Sequence, residues 1–288
     1  MYLIKKYLPA LFTVIIWGST FVASKHVIGS GLSPVIVMTI RFTLAYFILL
    51  MCTRERMRLE WNTTELKMLI VALTGGSLYF FLEYTSLKYT NAVNVGLISA
   101  TVPIVSTIID SKLKHRFPSR LFVIGSIIAF IGVFILVTNG NLLIDIFPKG
   151  DVLAICSTIM WAVYSVVLSR IDKTIPEAVV ERRMMFYSLL TALPFAILFF
   201  DGDKMRDAFS QTDIVLSILY LGCIASAFCM WLWNVSINTI GVTKTNNFLY
   251  LLPVVSLLSS VVFIDAEITF ATVVSTVLIF IGIVLADR

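Results

Sequence analysis

Charged residues are scarce in this sequence. Lys, Arg, Asp and Glu make up 14% of its 288 residues, whereas apolar residues make up 59%. A soluble globular domain carries about 25% charged residues, so this chain lacks the polar surface that would cover a fold in water. The shortage excludes an ordinary soluble protein and predicts an integral membrane protein.

The residues that build metal centres and nucleophile pairs are also scarce. The chain has two histidines, and its four cysteines lie in or beside apolar runs without any paired spacing. A metal cluster or a Cys-His nucleophile needs several such residues together, and free cysteines in apolar surroundings usually pack as small buried residues. We therefore expect no metal site, no cofactor and no disulfide framework.

Two further absences narrow the functional class. The sequence contains no phosphate-cradling P-loop, which argues against direct drive by ATP. No triad-like set of acids and bases appears either, which argues against catalytic residues and against an enzyme. The net charge is +5, but the basic residues lie between apolar runs rather than on one face, so we expect no nucleic-acid partner.

Long apolar runs fill most of the chain instead. Each has roughly the 20 residues that cross a bilayer core, and none alternates as a strand does. Because backbone amides in lipid must be satisfied within a helix or a closed barrel, the sequence predicts an all-α integral membrane protein with ten transmembrane helices. The predicted spans are 8–28, 34–52, 68–88, 91–111, 119–137, 151–170, 176–200, 213–237, 241–262 and 269–286.

Basic residues are unevenly divided between the two sides of the predicted bundle. With the amino terminus inside, fourteen lysines and arginines lie in inner segments and five lie in outer ones, as the positive-inside rule expects. We therefore predict a multi-pass protein of the cell membrane with both termini cytoplasmic. The inner residues are Lys5, Lys6, Arg54, Arg56, Arg58, Lys67, Lys112, Lys114, Arg116, Arg120, Arg170, Lys173, Lys244 and Arg288, and the outer ones are Lys25, Lys88, Lys149, Lys204 and Arg206.

A similar apolar heptapeptide occurs twice in the chain. FIGVFIL begins at Phe130 and FIGIVLA begins at Phe280, and the same offset of 150 aligns Pro103 with Pro253. Landmarks of the first two spans match those of spans 6 and 7 at offsets of 142 to 144. This shared order predicts two five-helix repeats, in residues 1–140 and 150–288.

An odd number of spans per repeat has a topological consequence. The second unit must enter the membrane from the opposite face, so the two five-helix repeats are inverted. This architecture is common among secondary transporters. Two antiparallel halves can pack in two nearly equivalent ways, which would expose a midplane site to each side in turn.

Short motifs also follow one another in a definite order. They are Trp17-Gly-Ser-Thr-Phe, Ser33-Pro34, Arg41-Phe42, Leu87-Lys-Tyr-Thr-Asn-Ala, the prolines of spans 4 and 9, and Gly132 and Gly282. In this order they resemble the EamA-type branch of the drug/metabolite transporter superfamily over essentially the whole chain. The resemblance implies a carrier or exporter of small metabolites such as amino acids, embedded among membrane lipids. We therefore predict a secondary transporter that works by alternating access.

Ionisable side chains inside the spans require an explanation, because each one at a helix centre raises the free energy of membrane insertion by about 2.5–3.5 kcal/mol. Glu83 and Arg41 lie at similar depths below the outer ends of spans 3 and 2, and Lys25 and His26 lie near the outer end of span 1. One interpretation is an ion pair of Glu83 with Arg41 or Lys25 that only joins helices. The other is a layer that forms the outer gate or receives a substrate ammonium or carboxylate group.

Several polar and aromatic residues are candidates for the substrate cavity. Packing and substrate stacking are both open for the two tryptophans, and the prolines either serve as hinges that free a backbone carbonyl or are merely tolerated. The predicted cavity residues are Trp17, Tyr79, Glu83, Asn94, Thr101, Trp161, Tyr164, Asn246 and Tyr250, and the predicted hinges are Pro103 and Pro253.

Other interpretations apply to single residues and to the whole chain. Arg183, close to the start of span 7, is predicted to extend towards the cytoplasmic headgroups. A membrane-embedded transferase is an alternative to the carrier, but its chemistry usually needs converging acids, bases or metal ligands. A channel or receptor is another alternative, which leaves the inverted repeat unexplained.

Overall fold

The computed structural model describes residues 5–53, 62–141, 145–264 and 269–288. Within these ranges the side chains of Phe21, Lys25, Ala92, Ser260, Phe263 and Ile264 lie outside the description. The described residues form α-helices with no strand among them. The helices are α1 Leu8–Gly29, α2 Pro34–Cys52, α3 Thr63–Ala72, α4 Leu78–Ser86, α5 Ala92–Ser99, α6 Val102–Leu113, α7 Arg120–Thr138, α8 Pro148–Leu168, α9 Glu177–Leu198, α10 Gly202–Ser210, α11 Thr212–Leu219, α12 Cys229–Ile240, α13 Val242–Asn247, α14 Leu252–Ile264 and α15 Phe270–Asp287.

The described helices bear out a multi-pass membrane protein. By length and composition, eight helical segments in these ranges can cross a membrane, and the count becomes nine if α9 and α10 form one span bent by 109°. An all-helical chain with eight to nine candidate spans is therefore confirmed. The count of ten stays a prediction, as does the orientation, since Arg54, Arg56 and Arg58 lie outside the described residues.

Two predicted spans, 176–200 and 241–262, account for the difference between the ten predicted spans and the eight or nine candidate spans. α9 carries Glu177, Glu181, Arg182 and Arg183 in its first two turns, so its charge is high for a span. Predicted span 9 is divided into α13, a 3₁₀ turn at Phe248–Leu251 and α14. Each piece is therefore shorter than the roughly 20 residues of a regular crossing.

Irregular helical turns occur at similar places in the two halves of the chain. A π-helical turn at Leu73–Ser77 joins α3 to α4, and another at Tyr220–Phe228 joins α11 to α12. The break between α5 and α6 likewise lies about 150 residues before the 3₁₀ turn that precedes α14. Such turns inside membrane helices are frequent at functional sites.

The two prolines predicted to lie inside helices instead lie in the first turns of new ones. Pro103 is the second residue of α6 and Pro253 is the second residue of α14. A proline in the first turn removes an N–H that has no partner within the helix. The prolines therefore start the second segments of two divided spans.

Glycines allow helices to approach closely at two places. A Cβ on Gly125 would lie 2.5 Å from the Gly282 carbonyl oxygen, and one on Gly282 would lie 2.4 Å from the Ala129 nitrogen, so α7 and α15 are in backbone contact. At the first π-helical turn, a Cβ on Gly75 would lie 2.3 Å from the Tyr164 ring. Small residues at such crossings are typical of membrane helix pairs.

The start of predicted span 3 was misplaced, and one helix was missed. The helix begins at Thr63 rather than at residue 68, because the Asn62 side chain accepts a hydrogen bond from the Glu65 amide and caps it. α10 lies in a segment predicted to be a loop, where Asp201 supplies a similar cap for Lys204.

Candidate substrate-binding site

Five aromatic side chains meet in the interior of the bundle. Trp161 is central, with its ring centroid 5.6 Å from that of Trp17, 4.9 Å from Tyr79, 5.0 Å from Tyr164 and 6.4 Å from Trp233. The rings are tilted or edge-on to one another, which is the arrangement that aromatic quadrupoles favour. We call these five residues the aromatic cluster.

The aromatic cluster draws on both halves of the chain. Trp17 and Tyr79 come from α1 and α4, whereas Trp161, Tyr164 and Trp233 come from α8 and α12. Gly75 leaves the space that the Tyr164 ring occupies beside the first π-helical turn. The predicted cavity residues Trp17, Tyr79, Trp161 and Tyr164 are thus brought together.

Polar atoms in the aromatic cluster are incompletely satisfied. The Trp17 indole donates to the Ala225 carbonyl at 3.0 Å. In the part of the chain that the structure describes, the buried indole nitrogens of Trp161 and Trp233 have no hydrogen-bond partner. Buried donors are nearly always paired, and exceptions point to a ligand, a water or a functional role.

Glu83 lies on one side of the aromatic cluster. Its Oε1 accepts a hydrogen bond from the Tyr79 hydroxyl at 2.7 Å, one turn earlier on α4. The carboxyl is half-buried. Among the described ion pairs none involves Glu83, but Arg41 interacts with it electrostatically at longer range, so their pairing stays a prediction.

Arg41 lies in the same region and is held by neutral groups. Its Nε donates to the Ser226 hydroxyl at 3.2 Å, one Nη donates to the Tyr84 hydroxyl at 3.5 Å, and the guanidinium lies 5.4 Å from the Phe80 ring centroid. The side chain is buried. Within the described residues it forms no ion pair, and Glu83 is an acid with which it interacts electrostatically at longer range.

A hydrogen-bonded chain leads away from the aromatic cluster on its other side. The Tyr164 hydroxyl donates to Asn234 Oδ1 at 2.9 Å, and Asn234 Nδ2 donates to Glu181 Oε2 at 2.6 Å. All three residues are fully buried. Glu181 is therefore the second acid connected to the aromatic cluster, and it was not among the predicted site residues.

A group of buried polar residues adjoins the divided span of α13 and α14. Asn246 Oδ1 accepts a hydrogen bond from the Ser165 hydroxyl at 3.3 Å, next to Tyr164 on α8. The Asn246 side-chain nitrogen has no partner among the described residues, and Tyr250 is fully buried one turn later. Asn246 thus lies close to the aromatic cluster, whereas no contact of Tyr250 with the cluster is described.

Two other predicted cavity residues make local bonds instead. Asn94 Nδ2 donates to the Asp145 carbonyl at 2.8 Å and to Asp151 Oδ1 at 3.0 Å, so it joins the start of α5 to the start of α8. Thr101 donates to the Ile98 carbonyl at 2.6 Å at the break before α6. No contact of either with the aromatic cluster is described.

The outer end of α1 is partly outside the description. The Lys25 side chain, a predicted gate residue, is not described. His26 Nε2 lies 2.7 Å from Asp213 Oδ2 on an exposed surface, where it links α1 to α11. His26 therefore does not join Glu83 and Arg41.

Arg183 does not extend to the headgroups as predicted. Its Nη1 lies 2.5 Å from Glu65 Oε2, and Glu65 also accepts a hydrogen bond from Tyr187. The prediction was wrong because Glu65, placed outside span 3 in the sequence analysis, lies inside α3 and is only 5% exposed. A buried carboxylate recruits a cation rather than releasing it to lipid.

Sequence reasoning missed Trp233, Asn234 and Glu181. Their contacts join helices that are far apart in the chain, and no periodic pattern encodes such pairing. The repeat offered one signal, since an offset of 150 places Trp233 opposite Glu83 and Asn234 opposite Tyr84.

Aromatic and charged residues inside a bundle of apolar helices define a multi-pass membrane protein with an internal polar site. The model of the EamA-like transporter family matches residues 4–138 and again residues 148–286. The chain belongs to this transporter family, which implies a small-molecule substrate and a membrane environment and favours a carrier over an enzyme.

Individual relatives agree with this assignment. A protein described as an uncharacterized transporter of Archaeoglobus fulgidus is 25% identical, and the match covers 99% of both chains. The uncharacterized transporter YyaM of Bacillus subtilis is also 25% identical, with 98% of this chain and 93% of that one covered. A crystal structure 19% identical in sequence shows the same fold, with a TM-score of 0.79 over 98% of this chain and 96% of that chain.

Proposed function

We propose that the protein is a secondary transporter that moves small zwitterionic metabolites such as amino acids by alternating access. The observation that carries the proposal is a pair of opposite charges beside the aromatic cluster. Arg41 and Glu83 form no described ion pair; each hydrogen-bonds only to neutral side chains, and the two interact electrostatically at longer range. A zwitterion supplies a carboxylate for Arg41 and an ammonium group for Glu83.

The aromatic cluster suits the rest of such a substrate. Its ring faces attract cations and pack against apolar groups. The free indole N–H groups of Trp161 and Trp233 are donors for a substrate oxygen. The aromatic cluster therefore offers apolar contact, and Arg41 and Glu83 offer charge recognition.

We also propose that the chain has ten crossings in two inverted repeats, residues 1–140 and 150–288. The family model matches the chain twice, and irregular turns recur about 150 residues apart. In this arrangement the divided spans that begin again at Pro103 and Pro253 are hinges. Thr107 and Thr243 join these spans near their breaks, with 3.1 Å between the hydroxyl oxygens.

Counterflow in proteoliposomes tests the transport proposal. Vesicles loaded with unlabelled amino acids are expected to take up a radiolabelled amino-acid mixture with saturable kinetics. Trp161→Phe removes an indole donor and part of the central ring, so we expect the apparent affinity to fall by about tenfold, or about 1.4 kcal/mol. That energy is within the range of one or two aromatic contacts.

The matched control is Trp231→Phe. Trp231 contacts Phe228 with 5.7 Å between ring centroids and is not part of the aromatic cluster, so its replacement is expected to leave exchange unchanged. Absence of saturable counterflow in the wild type would contradict amino-acid transport. Equal affinities in the two variants would remove the aromatic cluster from the site.

A further inference from the structure

Glu181 is an acid buried without a counter-charge. The residue is 0% exposed. Its Oε2 accepts one hydrogen bond, from Asn234 at 2.6 Å, and its Oε1 has no partner in the described ranges. A carboxylate charge in such a place costs several kcal/mol, whereas a protonated carboxyl does not carry that cost.

The nearby charged groups are committed to other partners. Arg182, the next residue on α9, donates to the Thr53 hydroxyl at 2.6 Å, and Arg183 is paired with Glu65. Among the described ion pairs none reaches Glu181. The other charged or titratable residues of α9 and of the helices packed against it are Glu177, Arg182, Arg183 and Tyr187 on α9, Arg41, Tyr46 and Cys52 on α2, Glu65 and Lys67 on α3, and Cys229 on α12, and Tyr164 of α8 reaches Glu181 through Asn234.

The hydrogen bonds fix one carboxyl oxygen of Glu181, Oε2, as the acceptor for Asn234. Tyr164 donates to Asn234 Oδ1, so the Asn234 amide presents its nitrogen to Glu181. Oε1 is left free to hold a proton. Because the Tyr164 ring centroid lies 5.0 Å from that of Trp161, a substrate that displaces these rings also disturbs the bond to Glu181.

We infer that Glu181 is a proton-binding site that couples substrate movement to proton movement. The inference rests on the proposed transport function. In the substrate-free protein Oε1 holds a proton. Displacement of Tyr164 and Asn234 by substrate opens a path to water, and the same proton leaves as the O–H bond breaks and the carboxylate remains. A water molecule accepts this proton through a new O–H bond, no other covalent bond changes, and the carboxylate regains a proton from water when the substrate has left.

A measurement without substrate tests the site itself. The purified protein is expected to show the infrared carbonyl band of a protonated buried carboxyl at neutral pH, and Glu181→Gln should abolish it. Gln is nearly isosteric and still accepts from Asn234. The control is Glu177→Gln on the same helix, where the carboxyl accepts a hydrogen bond from Asn238 at 3.5 Å, and this variant should retain the band. A band missing from the wild type, or persisting in Glu181→Gln, would overturn the inference.

A second measurement tests coupling. With one proton exchanged per substrate, each unit of pH gradient should drive accumulation of the labelled amino-acid mixture by up to about tenfold in the wild type. Glu181→Gln should retain counterflow but lose this accumulation, and Glu177→Gln should keep both. Gradient-driven accumulation by Glu181→Gln would exclude Glu181 as the coupling site. Failure of wild-type counterflow would instead contradict the transport proposal, and the infrared result would still decide whether Glu181 holds a proton.

Discussion

The acidic side chains at the two ends of the bundle differ in their burial and in their partners. Glu65 lies in the first turn of α3 and Glu83 in the last turn of α4, 18 residues further along nearly continuous helix, or about 27 Å by helix rise. At the Glu65 end, Glu65 is only 5% exposed and paired with Arg183. At the Glu83 end, Glu83 is half-buried as a residue and forms no described ion pair.

We call the end at which Glu65 is paired with Arg183 the closed end, and the end that holds Glu83 and Arg41 the receptive end. Arg183 and Arg182 at the Glu65 end bind Glu65 and Thr53, which fastens α9 to the ends of α3 and α2. Arg41 at the Glu83 end donates to the neutral hydroxyls of Ser226 and Tyr84 and is proposed to bind a ligand carboxylate. The contrast is the one expected of a carrier whose site opens towards the Glu83 end.

The largest predicted effect comes from removing the Arg183–Glu65 ion pair at the closed end. Arg183→Met leaves the buried Glu65 charge without a cation, which should lower the free energy of unfolding by about 3–5 kcal/mol. Unfolding in detergent by denaturant measures this loss. Adding Glu65→Gln should restore much of the stability, because the unpaired charge is then gone.

Arg41→Met is the matched change at the receptive end. Arg41 forms no described ion pair and interacts with Glu83 only at longer range, so its removal should cost less stability than Arg183→Met. Equal losses from the two variants would contradict the distinction between the ends. An unaffected Arg183→Met would restore the interpretation that Arg183 reaches the headgroups.

The next effect is functional and concerns Glu83. Glu83→Gln keeps an acceptor for the Tyr79 hydroxyl but removes the charge proposed to bind an ammonium group. We expect exchange of amino acids to fall by about tenfold, or about 1.4 kcal/mol, while the unfolding midpoint stays unchanged. Asp213→Asn is the control, since Asp213 is exposed and contacts only the surface residue His26 among the described ion pairs. Wild-type exchange by Glu83→Gln would remove Glu83 from the mechanism.

The positions of the helices were largely predictable from the sequence. Predicted span 34–52 coincides with α2, Pro34–Cys52, because a proline after Ser33 fixes its first turn and the apolar run ends at Thr53. Hydropathy alone predicts such helices, because a long apolar segment partitions into lipid. There its backbone groups must form their hydrogen bonds within the helix. Trp17 and Trp161 were both predicted to be cavity residues, and their ring centroids lie 5.6 Å apart.

The buried polar contacts were not predictable in the same way. Glu65 and Arg183 are 118 residues apart, and Asn234 and Glu181 are 53 apart, so no local periodicity connects them. Asn94 looked like a cavity residue on its helix face, yet the start of α8 supplies Asp151 as its partner. Tertiary partners, rather than sequence spacing, decide which polar side chains remain free for a substrate.

The smallest predicted effect compares how each end anchors an arginine. Arg182 donates to the Thr53 hydroxyl at 2.6 Å, whereas Arg41 donates to the Tyr84 hydroxyl at 3.5 Å, which is the limit of a useful bond. Thr53→Val should therefore lower the free energy of unfolding by about 1 kcal/mol, and Tyr84→Phe should lower it by less. Unfolding of the two variants in the same detergent gives the comparison. A larger loss from Tyr84→Phe would mean that the Glu83 end is the more tightly fastened of the two, and the assignment of closed and receptive ends would have to be reversed.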